Sequence, residues 1–441
     1  MNAGSFTIRR ILTKTATLLI AILILLAAGM PTVSTVMAEI TPKSHNLDGD
    51  LYPGYYPEVN NTSSVIRIWS SLANWGLNLT VFTMTDIGDD LYAGGYFDKI
   101  TDGSLTDLGG IAKYDIKTNS WQALPHQGLN DDPRAMVVVG DDLYIGGYFT
   151  ATVDGAVPDL GYIVRYDTKT NTFHALPNQG LNSHVWAMEV VGTDVYVGGN
   201  FTGTGDGFIT DLGRIVRYDT VNEQWEALPN KGLSWYVFGI KSFGNDLYVG
   251  GLFTQTGDAS MKNLGHIIRF DLVAETWHEF PNQGLDYGVR AFRLVDDDLY
   301  IGGDFEATGD GTVADLGRIV RYNIPTNTWN SLPNKGLNHT VSVLQDYGED
   351  LYVGGWFTQT ADAAITDLGF IVRFDPTSQT WNPLPNQGVN GEVNTMVVSG
   401  SDIYVGGYFT RSGDLAVRHL GRIARLSIYE NGIFLPLLLN Q

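Results

Sequence analysis

An all-β fold, a seven-bladed β-propeller of four-stranded blades, is what the sequence predicts, on three observations. Adjacent glycines recur at Gly94-Gly95, Gly146-Gly147, Gly198-Gly199, Gly250-Gly251, Gly302-Gly303, Gly354-Gly355 and Gly406-Gly407, each pair 52 residues after the last. A fixed period of that size marks a repeat architecture, so 441 residues need not mean several domains. Within a unit the apolar pattern alternates as in strands and never takes the 3.6-residue helical period, which argues against a helical or leucine-rich solenoid. Four short strands per unit, closed seven times around an axis, leave no long unpaired sheet edge.

The elements of one unit follow in order. Ala135 to Val139, the turn Gly140-Asp141-Asp142 and Leu143 to Phe149 read as a hairpin. A polar loop from Thr150 to Leu160 leads to a third strand, Ile163 to Asp167, and Thr168 to Asn171 turns the chain into a fourth, Thr172 to Leu176. Tyr144 and Phe149, with their equivalents in every unit, supply the large apolar surface that packs blade on blade. The paired glycines mark places where a neighbouring group comes close, and Asp142 and its equivalents sit in a turn where the side chain can bond its own backbone. Two segments compete to complete the seventh blade. Ile66 to Leu72 holds fourth-strand register, since Trp69 lies 52 residues before Trp121, and Ile433-Phe434-Leu435 holds it at the other end. The N-terminal segment is the expected closer, because the repeat's own connection follows it.

Upstream, Arg9, Arg10 and Lys14 precede an uncharged apolar run from Ala16 to Met30, with Val36-Met37-Ala38 as a small-residue cleavage pattern. That run is shorter than the roughly 20 residues a membrane-spanning helix needs. The expected organisation is a signal peptide over 1–38, a linker over 39–63 and the propeller over 64–441, in a secreted or cell-surface monomer without a stable membrane span after cleavage. The chain has 48 acidic and 27 basic residues, net charge -21, and no cysteine. Losing three cations and no anions with the leader makes the remainder more negative still. Disulfide scaffolding and thiol chemistry are thereby excluded, and nucleic acid is an unfavourable partner for want of a basic face.

Residues that could carry function lie on one face. In this strand order the loop between second and third strands and the loop between blades emerge together, and the inter-blade loops differ among units where scaffold positions do not. They carry Arg134, His184, Trp186, Trp235, Tyr236, Tyr287, Arg290 and His339, the aromatic and arginine composition of a binding rim. The alternative is that these side chains seal the end of the barrel, since Arg134, Trp186 and Arg290 share strand parity with the core-like Met136, Met188 and Phe292. Glu189, Lys241, Arg293 and Gln345 occupy one equivalent inner-strand position, expected to form a solvated channel wall. Asp102, Asp154, Asp206, Asp258, Asp310, Asp362 and Asp414 recur in the long loop, and Lys113, Arg165 and their equivalents in the third strand. The loop carboxylates are expected to cap loop amides or to pair with a basic side chain. Calcium is the alternative ligand, although the spacing falls short of an EF-hand's close alternating ligands. A second acidic set, Asp107, Asp159, Asp211, Asp315 and Asp367, becomes Asn263 and His419 in two units. The histidines fall at different repeat positions, with no triad or metal cluster evident.

Gly-Gly followed by an aromatic, then Tyr114 and Trp121 with six residues between them, resembles the kelch motif of seven-bladed propellers. Tyr218 with Trp225 and Tyr322 with Trp329 repeat it, and Phe173, Phe270 and Phe374 fill one slot elsewhere. The unit is also similar to uncharacterised bacterial repeats. The resemblance implies loops on one face that bind partners. It also includes the galactose-oxidase copper enzymes, whose thioether cofactor requires a cysteine that this chain lacks. The expected function is a non-enzymatic binding module for an extracellular protein or glycan, needing no cofactor. A carbohydrate-active hydrolase or lyase and a structural cell-envelope component are the alternatives.

Overall fold

The computed structural model describes residues 65–429. The expected leader and linker, and Ile433-Phe434-Leu435, lie outside the described residues. Twenty-eight strands, β1 to β28 in chain order, make seven four-stranded antiparallel sheets. In blade 3 the strands Val185–Val191, Asp194–Gly199, Ile215–Asp219 and Gln224–Ala227 run from the innermost to the outermost position. Blade 7 breaks chain order: its outermost strand is β1 (Ile66–Ser71), antiparallel to β28 (Ile423–Tyr429), with Trp69 opposite Leu426. The N-terminal segment therefore closes the ring, as its register predicted.

The core is divided into layers between blades. Ala135, Tyr144 and Ile163 of blade 2 pack with Met188, Val195, Val197, Val216 and Trp225 of blade 3. The same layer recurs across the closing seam, where Tyr404 and Ile423 meet Leu91, Ala93 and Trp121. Both faces of each sheet are buried this way, which is why strands such as Leu143 to Gly147 read as continuous apolar runs. Polar bonds reinforce the layers. The indole N–H of Trp225 donates to the Pro177 carbonyl at the end of the preceding blade, 3.0 Å away. Trp121, Trp277, Trp329 and Trp381 do likewise, and Trp69 donates to Pro385. At the seventh equivalent position stands Phe173, which has no donor. Trp225→Phe should therefore keep the packing and cost about 1 kcal/mol for the lost bond, since the Pro177 carbonyl still accepts from the Gly180 amide at 3.1 Å. Denaturant unfolding of the purified variant checks this, and a cost within error of zero would mean the indole bond adds nothing.

Two repeated sets take their places from the strand ladder and the backbone. Hairpin aspartates accept from third-strand cations rather than only their own turns: Lys113 reaches Asp90 at 3.1 Å, Arg165 reaches Asp142 at 3.1 Å and Arg269 reaches Asp246 at 2.9 Å. The cross-strand register brings them together, with Tyr144 opposite Arg165 and Asp142 opposite Asp167. The set Asp107, Asp159, Asp211, Asn263, Asp315, Asp367 and His419 has φ between 56° and 62°. Asn, Asp and His are the residues that tolerate left-handed backbone best, so this interchange follows from conformation.

Candidate functional site

The inter-blade loops and the second-to-third-strand loops share one face, tied by bridges such as Leu129 with Thr152 and Leu181 with Thr204. At that face each innermost strand carries a β-bulge. Val185 pairs with Gly199 and Ala187 with Gly198, so Trp186 is the extra residue. A bulge re-aims the residue it inserts. Because every inner strand has it, Phe82, Arg134, Trp186, Phe238, Arg290, Ser342 and Asn394 turn toward the propeller axis together. The parity that would have placed Arg134, Trp186 and Arg290 with the buried Met136, Met188 and Phe292 fails here, because one inserted residue resets the alternation. Met136 is 7% exposed, whereas Arg134 and Trp186 are half-buried and Arg290 is exposed.

These seven side chains surround an axial cavity of about 580 Å³, completed by Tyr148, Tyr236, Leu252, Asp304, Thr340, Trp356 and Glu392. One half of its wall is aromatic. Trp186 donates its indole N–H to the Tyr148 hydroxyl at 3.0 Å and packs against Tyr236 and Phe238 at centroid distances of 4.9 and 5.3 Å. Arg134 lies between the rings of Phe82 and Tyr148, 3.5 and 4.6 Å from their centroids, and pairs with Asp132 at 3.0 Å. Burial raises the Asp132 carboxyl despite that cation. Arg290 sits 5.0 Å from the Phe238 centroid and donates to Asp304 at 2.8 Å, and Asp304 also accepts from the Thr340 hydroxyl at 2.6 Å. The other half carries Ser342, Asn394 and Glu392, whose carboxyl is raised by burial against the lowering influence of His339.

Four of the sequence-derived candidates, Arg134, Trp186, Tyr236 and Arg290, line this cavity. Tyr287 and His339, again with Arg290, line an adjoining depression of about 580 Å³ that also holds Asp286, Glu306 and Arg318. His184 and Trp235 stand behind the cavity wall. His184 packs tilted against Tyr148 with centroids 4.1 Å apart, and burial lowers its pKa, which favours the neutral ring. Trp235 stacks on Tyr236 at 4.8 Å. Sequence reasoning passed over Tyr148, Leu252, Asp304 and Trp356. Their signal was available: they follow the paired glycines, at a position that varies from Tyr to Asn, Leu, Asp and Trp among units.

Two other sets prove structural. Asp206 accepts from the Thr204 hydroxyl, the Phe208 amide and the Asn178 side-chain amide at 2.8, 2.9 and 3.0 Å. Equivalent donors hold Asp258 and Asp310 well below the usual carboxylate range. The loop carboxylates thus cap their own loops and tie each to the preceding inter-blade turn. On the inner strands, Glu189 takes Lys241 at 2.9 Å and the Ser242 amide and hydroxyl at 3.1 and 2.7 Å. Arg293 pairs with Asp346, which also accepts from Gln345 at 3.2 Å. This wall is charge-paired, and Glu189 is buried rather than solvated as expected, because its neighbours supply the donors that water would.

No family model matches the chain. Among curated proteins it is similar to the polarized growth protein rax2 of Schizosaccharomyces pombe, 25% identical over 189 residues, 39% of this chain and 16% of that one. It is also similar to the kelch-like protein terF of Aspergillus terreus, 25% identical over 226 residues, 48% of each chain. The chain spans less than half the length of either relative, and both are fungal, where the sequence had suggested bacterial repeats. Among solved structures it resembles the extracellular domain of a B. thetaiotaomicron protein described as a one component system. That match has TM-score 0.50 and 14% identity over 82% of this chain and 40% of the other, a likeness of fold alone. Seven four-stranded blades in a closed ring make the chain a seven-bladed β-propeller, and one of the relatives it resembles is a kelch-like protein.

Proposed function

We propose that the chain is a secreted, non-enzymatic binding module that takes an extracellular protein or glycan into the axial cavity. One observation carries this reading: seven symmetry-equivalent bulge positions hold Phe, Arg, Trp, Phe, Arg, Ser and Asn, while the scaffold positions around them repeat. A scaffold that only needed its axis sealed would gain nothing from that asymmetry. Aromatic faces beside arginines are the usual composition of a binding hot spot. Kelch-like propellers commonly serve as interaction modules, and the exported leader read from residues 1–38 supports an extracellular setting. Catalysis by paired carboxylates is the weaker reading, because of the two that line the cavity Asp304 is already held by Arg290 and Thr340. Among the described residues no helix is long and apolar enough to cross a membrane.

A glycan array probed with the purified protein, with and without calcium, tests the reading. Saturable binding to one glycan class, indifferent to calcium because the loop carboxylates already have donors, is the expected result. Cleavage of printed glycans would overturn it in favour of an enzyme, and calcium-dependent binding would return the Asp206 loop set to consideration. A blank array with no cleavage would direct the search to a protein partner or to a structural envelope role.

A further inference from the structure

Blade 7 meets blade 1 at a seam whose chemistry differs from the other six. In the other units, the position equivalent to His419 is Asp or Asn, and the position equivalent to Trp75 is Gln or Lys. Where Lys and Asp occur together they pair across the seam, Lys231 with Asp211 and Lys335 with Asp315, each at 3.3 Å. At the closing seam the same two positions form a stack instead, Trp75 on His419 with centroids 4.9 Å apart and planes 26° from parallel. The backbone does not account for the change. His419 has φ 60° as Asp315 has 59°, and the Leu77 amide donates to Gly421 at 2.8 Å as the Leu337 amide donates to Gly317 at 2.7 Å.

Three arginines collect beside the stack. Arg411, Arg418 and Arg422 line a depression of about 290 Å³ together with His419 and Asn78. Arg422 lies over the Tyr408 ring at 4.3 Å, and none of the three guanidinium groups has a carboxylate partner among the described residues. That is unusual in a chain of net charge -21 whose other arginines, among the described residues, are nearly all paired. Repulsion among three unpaired cations is a cost that a bound anion would relieve.

We infer that the blade 7–blade 1 seam is a binding site for an acidic saccharide unit, its sugar ring on the exposed face of Trp75 and its carboxylate or sulfate on Arg411, Arg418 and Arg422. The Trp75 indole is 42% exposed and already held flat by His419, which suits a ring ligand. Guanidinium groups match the two-oxygen edge of a carboxylate or sulfate. The cationic patch is confined to one seam of an acidic protein, so it suits one or two acidic sugars rather than a long polyanion. The exposed indole favours a saccharide over an acidic peptide, whose carboxylates need no ring partner. The site shares no residue with the axial cavity, and the inference stands or falls separately from the proposed function.

Calorimetry of the full chain at low ionic strength tests it, with an oligogalacturonate, a monosulfated galactose oligosaccharide, a neutral galactose oligosaccharide and a Glu-rich peptide. At least one acidic saccharide should bind at least tenfold more tightly than the neutral one, weakening as salt is added. Galacturonate binding alone assigns a carboxylate site, and binding of the sulfated sugar alone assigns a sulfate site. Arg418→Thr with His419→Asp, which copies Thr366-Asp367 of blade 6, should reduce that affinity at least tenfold. Trp75→Gln, which copies Gln387, should do so with the arginines intact. Both variants place residues already found at the equivalent positions, so thermal midpoints should stay at the wild-type value. The inference is overturned if neither acidic saccharide binds, if the neutral one or the peptide binds as well, or if the variants keep wild-type affinity.

Discussion

Removing residues 1–72 should cost the protein its stable ring, whereas removing residues 1–64 should leave it intact. The shorter truncation keeps β1; the longer one deletes it and leaves blade 7 with three strands and an open edge along β28. It also removes Trp69, 4% exposed in a layer with Tyr352, Ile371 and Leu384, together with its indole bond to Pro385. Deleting a buried tryptophan alone costs about 3–5 kcal/mol. Arg67 is lost too, and with it a bond to the Tyr352 hydroxyl at 2.8 Å and an ion pair with Asp350 at 3.2 Å, both in blade 6. The expected outcome is aggregation, or a thermal midpoint lower by more than 10 °C, read by light scattering and calorimetry. A chain starting at residue 73 that keeps the wild-type midpoint would mean that Ile433-Phe434-Leu435 can pair with β28 in place of β1.

The second large effect is expected at the paired glycines. A Cβ on Gly199 would strike the His184 carbonyl oxygen and the Val185 backbone, where the bulge begins. Neither obstacle is a flexible side-chain end, so the strand itself must shift. Gly199→Ala should cost about 3 kcal/mol or more. Gly192→Ala is the control: this glycine has φ +64° and open space around it, so only the left-handed backbone is penalised, at about 1 kcal/mol. Equal costs at the two sites would show that conformation, not close approach, explains the paired glycines. Because Gly199 lies opposite the bulge, its substitution should also disturb the aromatic contacts of Trp186, visible as a change in tryptophan emission.

Most of the architecture was legible because it rests on properties repeated seven times. The 52-residue spacing gave blade number, the alternation gave strands, and Trp69 placed the closing strand by register alone. What sequence could not show was the bulge. A single extra residue flips the face that every following side chain occupies, so alternation placed Trp186 with the packed Met188, while the ladder turns it to the axis. The left-handed positions were hidden for a related reason. Asp315, Asn263 and His419 look chemically unlike, and only their shared φ shows that the backbone selects them. Asp304 stands at a position after Gly-Gly that varies among units, but only the fold shows that it joins Arg290 to Thr340 across two blades. The aromatic half of the cavity was partly visible in Trp186 and Tyr236, since large rings in a loop-to-strand junction stand out against the repeat.

The most direct measurement is a paired one on Trp186→Ala with Arg290→Ala: affinity for whatever ligand the array or a partner screen selects, and the thermal midpoint of the same preparation. Arg290 is exposed and Trp186 half-buried at the mouth of an open cavity. If the asymmetric axis is a binding site, affinity should fall at least tenfold, about 1.4 kcal/mol, while the midpoint drops by no more than a few degrees. Unchanged affinity with a large fall in midpoint would instead make these side chains the seal at the end of the ring.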